Sequence, residues 1–294
     1  MDELGYVYHR GAATLRTQKS SVVGLIITDI SNPFFSMMAL GVERSLSDAG
    51  YLTVLMNTFD DTDRFNQLVR TMFEYPVAAV MYVPVAGADM SFTINGNGPA
   101  ISSLAVTREP TSDVPFLGPD DHLGGRLAAT HLIEVHNRER LVYLGGPEWA
   151  GPRSRRLEGV RDAIRSHPRA QIVKQLPGTT SLKCGTALAE QLLQSNVSFD
   201  AVLCHSDVIA FALCRAFRRR GISVPQCVSV VGFDGLDQDE VFEPTITSIS
   251  ADPVTMGHLA ADWVVAAMDG KEPEPRLLVK PLLQKRASCG CGVD

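Results

Sequence analysis

The sequence predicts an α/β protein of two doubly wound parallel-sheet lobes, and three observations carry that reading. Short β-branched runs alternate with amphipathic segments of helical period along nearly the whole chain. The strands are near-continuous hydrophobic runs, which suits parallel sheets covered by helices on both faces. There are also more strand–helix units than one small sheet holds. Loops at about 84–99 and 107–119, rich in Gly, Pro, Asn and Asp, interrupt the first set.

Taken in order, "VVGLIIT" (22–28) reads as a strand and "FSMMALGVERSLSDAG" as a helix stopped by Gly50. The strand "YLTVLMN" and the helix "TDRFNQLVRTMFEY" follow, the latter with Thr62 or Asp63 as its cap. "VAAVMYV" and "AISSLAV" are further strands. From residue 120 the rhythm resumes with helix "DHLGGRLAATHLIEVH", strand "RLVYLGG", helix "SRRLEGVRDAIRSH" and strand "QIVKQL". Helix "LKCGTALAEQLLQS", strand "DAVLCHS", helix "DVIAFALCRAFRRRG" and strand "VSVVGFD" come next. The short "TITSISA", helix "PVTMGHLAADWVVAAMDG" and strand "RLLVK" complete the pattern.

At 294 residues the chain is long enough for a substantial core, and 45% hydrophobic with 20% charged residues is ordinary for a globular protein. No apolar run is long enough to span a membrane, and no secretory signal opens the sequence, so a cytoplasmic location and no membrane partner are expected. The net charge of −6 confines any DNA contact to a local patch. Six cysteines lie in the second half. Cys204, Cys214 and Cys227 sit in apolar segments and are expected to be buried thiols. The tail pair Cys289 and Cys291 is a single C-x-C with no second ligand pair nearby in sequence, so no metal site is expected.

Ligands of open parallel sheets bind beyond the carboxyl ends of the strands. Four turns there are notable. "TDISNPFF" brings Asp29, Ser31 and Asn32 to the sheet mouth, with Pro33 at the first helical position. Of Phe34 and Phe35, about 100° apart on a helix, at most one is expected to face a cleft. "GGPEWAGPRSRRLEG" offers Trp149 as a stacking plate, and Arg153, Arg155 and Arg156, two of which are expected on a solvated face. In "LCHSDVIAFAL", Asp207 or Ser206 suits a helix cap as well as a ligand contact. In "VVGFDGLD", Asp234 emerges where no helix immediately follows, free to accept bonds from a ligand. Asp234 and Arg156 are the strongest candidates. No phosphate-cradling, zinc-protease, nucleophile-elbow or dinucleotide motif is present, and the Asp pairs at 60–61 and 120–121 read as caps; no enzyme and no cofactor are expected.

These turns, in this order and spacing, resemble the LacI/GalR family of transcription regulators. The resemblance runs over essentially the whole chain and is most specific in "FDAVLCHSDVIAFALCRAFRRRGISVPQCVSVVGFDGLDQDEVFEPTITSI". It implies a periplasmic-binding-protein-like (type I) core of two lobes joined by three crossovers, 22–137 plus 252–275 and 138–251 plus 276–294. It also implies an effector cleft in which Phe34 or Phe35 packs on the ligand, Arg156 and Asp234 hydrogen-bond it, and Asp207 contributes. Where the family has Gly-His after the helix at 121–135, this chain has His136-Asn137.

"LGYVYHRGAATLRTQKS" resembles the end of the family's DNA-binding headpiece and its hinge helix, so 1–20 is read as a remnant of both. Leu15 stands at the position that wedges the minor groove, and Arg16, with Arg10 and Lys19, at positions that meet phosphates. The helix-turn-helix itself is not in the sequence, and a trimmed form is the expectation. The implied partners are a small-molecule effector, a carbohydrate by family habit, operator DNA for the full-length protein, and a second copy in a homodimer. The effector-sensing domain of a DNA-binding transcriptional repressor is thus the leading reading. The alternative is a solute-binding protein of a transport system, which shares the architecture.

Overall fold

The computed structural model describes residues 20–88 and 101–292. Leu15 and Arg16 lie outside the described residues.

Two six-stranded sheets organise the chain. The first runs through β1 (Val22–Ile27), α1 (Pro33–Asp48), β2 (Leu52–Asn57), α2 (Thr62–Glu74), β3 (Ala79–Tyr82), β4 (Ser102–Val106) and β5 (Phe116–Pro119). The chain then enters the second lobe with α3 (Asp121–Glu134), β6 (Arg140–Leu144), α4 (Gly151–Arg165), β7 (Gln171–Leu176) and α5 (Leu182–Gln194). β8 (Ala201–Cys204), α6 (Asp207–Arg219), β9 (Ser229–Phe233) and β10 (Thr247–Ser250) continue it. α7 (Pro253–Met268) and β11 (Arg276–Val279) return to the first lobe. β12 (Leu282–Gln284) and a short 3-10 turn (Ala287–Cys289) end in the second.

The strand orders are β2-β1-β3-β4-β5-β11 and β7-β6-β8-β9-β10-β12. Among the described residues, all pairings of these strands are parallel except β10 with β12. Each sheet is covered on both faces, as its continuous hydrophobic strands require. In the first, Leu25, Met38, Leu46 and Leu104 pack with α1 and α7, while Ile26, Phe65 and Tyr82 pack with α2 on the other side. In the second, Val202, Leu213 and Phe217 face α5 and α6, and Leu132, Leu141, Leu157 and Phe233 face α3 and α4. A fully buried Leu or Phe of this kind contributes about 1.5–3 kcal/mol.

Each lobe pairs its first helix with the helix arriving from the other lobe, and both pairs meet through glycines. A Cβ on Gly41 of α1 would lie 2.1 Å from the Val254 carbonyl of α7, and one on Gly125 of α3 would lie 2.0 Å from the Arg156 carbonyl of α4.

The structure corrects the sequence reading in four places. Residues 116–119 form a strand rather than the end of a loop, because β4 and β11 flank them on both sides. The lobe boundaries move: α3 packs against the second sheet, so the first crossover falls at Asp120 rather than after 137. β11 joins the first sheet, so the last crossover lies at 280–281 rather than 275. Asp61, not Thr62 or Asp63, caps α2 by accepting the Arg64 amide at 2.7 Å. Cys204 and Cys214 are buried as expected, but Cys227 is exposed, lying in the turn before β9 rather than in the strand.

Candidate functional site

Both sheets have the 2-1-3-4-5 order, so loops diverge on either side of β1 and of β6 and leave a crevice beyond the carboxyl ends of the strands. The two crevices face one another across a cleft lined by both lobes. The first lobe lines it with Asn32, Phe34, Phe35, Thr107, Arg108 and Pro119. The second contributes Pro152, Arg156, Thr180, His205, Ser206 and Asp234.

On the first wall, Asn32 caps α1 through the Phe34 amide (3.1 Å), and Pro33 fixes the first turn. This turn presents Phe34 and Phe35 edge to face, with ring centroids 5.2 Å apart. The expectation that only one would face the cleft is corrected. The crevice wraps the start of α1, so two rings pointing in different directions both border it.

On the second wall, Arg156 lies on α4, buried. Its Nε donates to Asp121 Oδ1 at 2.7 Å and its Nη1 to the His205 carbonyl at 2.5 Å. The guanidinium also sits 3.3 Å from the Phe233 ring centroid. Among the described residues, no hydrogen bond is made by its Nη2. Asp234 leaves β9 with φ 125°, a strained conformation for a residue other than glycine. Its side chain is buried, and among the described residues its Oδ2 has no hydrogen-bond partner. Burial raises its pKa well above the usual carboxylate range, the nearby Asp207 carboxyl adds to this, and Arg156 opposes it.

His205 ends β8 on the floor of the cleft. Burial holds its imidazole neutral, reinforced by Arg156, Arg108 and Arg153. Its Nδ1 lies 2.9 Å from the Tyr143 hydroxyl; with the phenol donating, the ring proton sits on Nε2. Gly146 (φ 76°) makes room for this ring, since a Cβ there would come within 2.7 Å of Nδ1. Ser206 occupies the N-cap position of α6 without making the capping bond, so its buried hydroxyl has no partner among the described residues.

Phe34, Phe35, Arg156 and Asp234 therefore converge, and two other expected residues do not. Asp207 is fully buried behind the site. Its carboxylate accepts the Gly235 and Leu236 amides (2.7 and 3.2 Å) and the Ser248 hydroxyl (2.8 and 2.9 Å), so it shapes the turn that carries Asp234. Trp149 is 48% exposed at the rim, where Arg108 of the opposite lobe stacks on it with Cζ 4.9 Å from the ring centroid. Of the three arginines, only Arg155 is on the surface, with Glu109; Arg153 is buried against the Tyr143 ring.

Thr107 and Arg108 escaped the sequence reading. Thr107 has φ 63°, and Arg108 forms a two-pronged pair with Asp60 (2.5 and 3.1 Å). The signal was present, because they end β4 as the other site residues end their strands, but no helix follows to mark the turn. Asp121, read as a cap, is instead the partner of Arg156; Asp120 does the capping.

The C-x-C tail lies against His131 of α3 and His136 just beyond it, the two sulfurs and two ring nitrogens falling within 4.8 Å of one another.

Two α/β lobes closing on a cleft lined by aromatic rings, a guanidinium and a buried carboxyl define a binding domain for a small polar molecule. Residues 129–289, more than half of the chain, match the model of the periplasmic binding protein-like domain, and the chain belongs to that family. The ribose operon repressor of Escherichia coli strain K12 is 28% identical over 97% of this chain and 87% of its own length. The HTH-type transcriptional regulator reg1 of Streptomyces lividans is 28% identical over 98% of this chain and 85% of its own. Among solved structures, the lac repressor dimer bound to operator and an anti-inducer superposes with TM-score 0.86 at 19% identity, covering 98% of this chain and 87% of that one. A LacI family regulator from Enterococcus faecium with bound ribose superposes with TM-score 0.79 at 24% identity, over 91% and 98%. The LacI/GalR resemblance thus extends over the chain, and it favours an effector-sensing regulator core over a transport solute-binding protein. Among the described residues, no helix is long and apolar enough to cross a membrane.

Proposed function

We propose that this chain is the effector-sensing core of a transcriptional repressor, and that its effector is a monosaccharide or close derivative held between the lobes. The observation that carries this is a pair of buried polar groups bordering one cleft: Arg156 with donors to spare and Asp234 with an oxygen that, among the described residues, has no partner. Vicinal hydroxyls both donate and accept, so a sugar satisfies both groups at once, while Phe34 and Phe35 cover its apolar C–H face. A ligand bridging the two walls favours the closed arrangement of the lobes. By linkage it shifts the placement of the DNA-reading segments in a homodimer only as far as it prefers that state. The similarity to a ribose operon repressor and to a ribose-bound regulator supports a sugar, with pentoses first.

A thermal-shift screen of pentoses, hexoses, their phosphates and nucleobases tests this. A sugar at 100 times its dissociation constant adds about 2.7 kcal/mol of stability. No response to any sugar, together with a saturable response to a nucleobase, removes the carbohydrate assignment.

A further inference from the structure

At the far end of α3, about 15 Å along its axis from Asp121, two histidines and two cysteines from opposite ends of the second lobe's sequence meet. His131 Nε2 lies 3.2 Å from His136 Nε2 and 3.3 Å from Cys289 Sγ. Cys291 Sγ lies 3.6 Å from each of the two Nε2 atoms. All four ligand atoms fall within 4.8 Å of one another. We propose that His131, His136, Cys289 and Cys291 form a zinc site that fastens the C-terminal segment to α3.

The spacing fits a metal better than it fits hydrogen bonds. Zinc with Zn–N near 2.0–2.1 Å and Zn–S near 2.3 Å places neighbouring ligand atoms of a tetrahedron about 3.3–3.8 Å apart. The four distances above fall at or close to that range. Hydrogen bonding satisfies the cluster poorly. Two imidazole nitrogens facing each other share at most one proton, and the thiols around them are weak donors and weak acceptors. One cation answers all four lone pairs. A tetrahedral N₂S₂ set selects zinc among the common divalent ions.

The backbone on both sides is shaped for this convergence. α3 ends with Asn137 at φ 53° and the Arg138 amide bonded back to the Leu132 carbonyl at 3.0 Å, a C-terminal turn that carries His136 alongside His131. Between the cysteines, Gly290 has φ 113°, and a Cβ there would come within 3.0 Å of His136 Nδ1. The tail is stitched down independently. Ser229 Oγ donates to the Cys289 carbonyl (2.7 Å), and Ser288 Oγ donates to the Val230 carbonyl (2.6 Å).

Four protein ligands leave no open position, so the site is structural rather than catalytic. It joins the two segments that enter the second lobe from the first and rejoin it at its edge, α3 and the stretch after β12.

The test uses the whole chain, reduced, stripped of metal with a chelator and titrated with cobalt(II) and then zinc(II). The site predicts one cobalt per chain, the strong visible bands of a tetrahedral centre and a thiolate-to-cobalt charge-transfer band, all erased by one equivalent of zinc. Cys291→Ser and His136→Ala, at half-buried positions, lose the charge-transfer band or the stoichiometry while keeping the far-ultraviolet circular dichroism of the parent. Cys227→Ser, at an exposed position elsewhere, retains both. Zinc also raises the melting temperature of the parent and not of the two ligand variants. A weak octahedral cobalt spectrum, or a Cys291→Ser/His136→Ala double variant that binds metal like the parent, overturns the proposal and leaves the cluster a hydrogen-bonded latch.

Discussion

Arg156 and Asp121 close a buried ion pair between α4 and α3, with Nε 2.7 Å from Oδ1 and both side chains under one-tenth exposed. The pair lies over the glycine contact that lets the two helices touch, and it aims the guanidinium at the cleft. Removing one partner of a buried pair strands the other charge, at about 3–5 kcal/mol. Asp121→Ala is therefore expected to lower unfolding free energy by that order, and Asp121→Asn, which keeps an acceptor, by less. Chemical denaturation of the three proteins measures the difference. Equal stability of Asp121→Ala and the parent would contradict the positioning role.

The glycine contact gives a sharper contrast. A Cβ at Gly159 would lie 2.0 Å from the His122 carbonyl, whereas one at Gly151 meets nothing within 4 Å among the described residues. Gly159→Ala must push two backbones apart and should cost about 3 kcal/mol or more. Gly151→Ala is expected to be neutral or to stabilise by about 0.4–1 kcal/mol through the unfolded chain. Melting temperatures of the two variants, read side by side, decide it.

Arg108 of one lobe stacking on Trp149 of the other makes the cleft rim a reporter of closure. The second tryptophan, Trp263, donates to the Glu274 carbonyl at 2.8 Å, away from the cleft. In a Trp263→Phe background, effector should change Trp149 emission saturably, and Arg108→Ala should change the unliganded emission and weaken effector binding. An emission spectrum indifferent to both would show that the rim does not sense the ligand.

Buried carboxyls set a pH dependence. Burial raises the pKa of Asp234, with Asp207 adding to it, and burial beside Asp207 raises that of Asp239. A carboxyl with a higher value folded than unfolded holds more protons in the folded state, so stability falls as pH rises between the two values. His205, depressed by burial, acts in the opposite direction, but only below its unfolded value near 6.5. Unfolding free energy should therefore decline between about pH 7 and pH 8, and Asp239→Asn should flatten that slope by up to about 1.4 kcal/mol per pH unit. A parent slope unchanged by the substitution would contradict the assignment.

Much of this was legible in the sequence because strand ends and hydrophobic runs are local. Phe34, Arg156 and Asp234 each follow a strand whose run of apolar residues is unmistakable, and the lobes bring those ends together. What was not legible depends on distant partners. Residues 116–119 become a strand through β11, far along the chain. Asp207 looked like a ligand and is a support, because Ser248 and the Gly235 amide reach it only in the folded lobe. The C-x-C tail looked solitary because its companions, His131 and His136, lie more than 150 positions away.

The most direct test of the interlobe cleft as the sensor is calorimetric titration of the best sugar into the parent chain and into Asp234→Ala. The structure predicts one site per chain in the parent, and in the variant a loss of about tenfold in affinity, the size of a lost buried hydrogen bond. The variant's unliganded melting temperature should stay near the parent's. Undiminished binding by Asp234→Ala would place the sugar elsewhere and contradict the account.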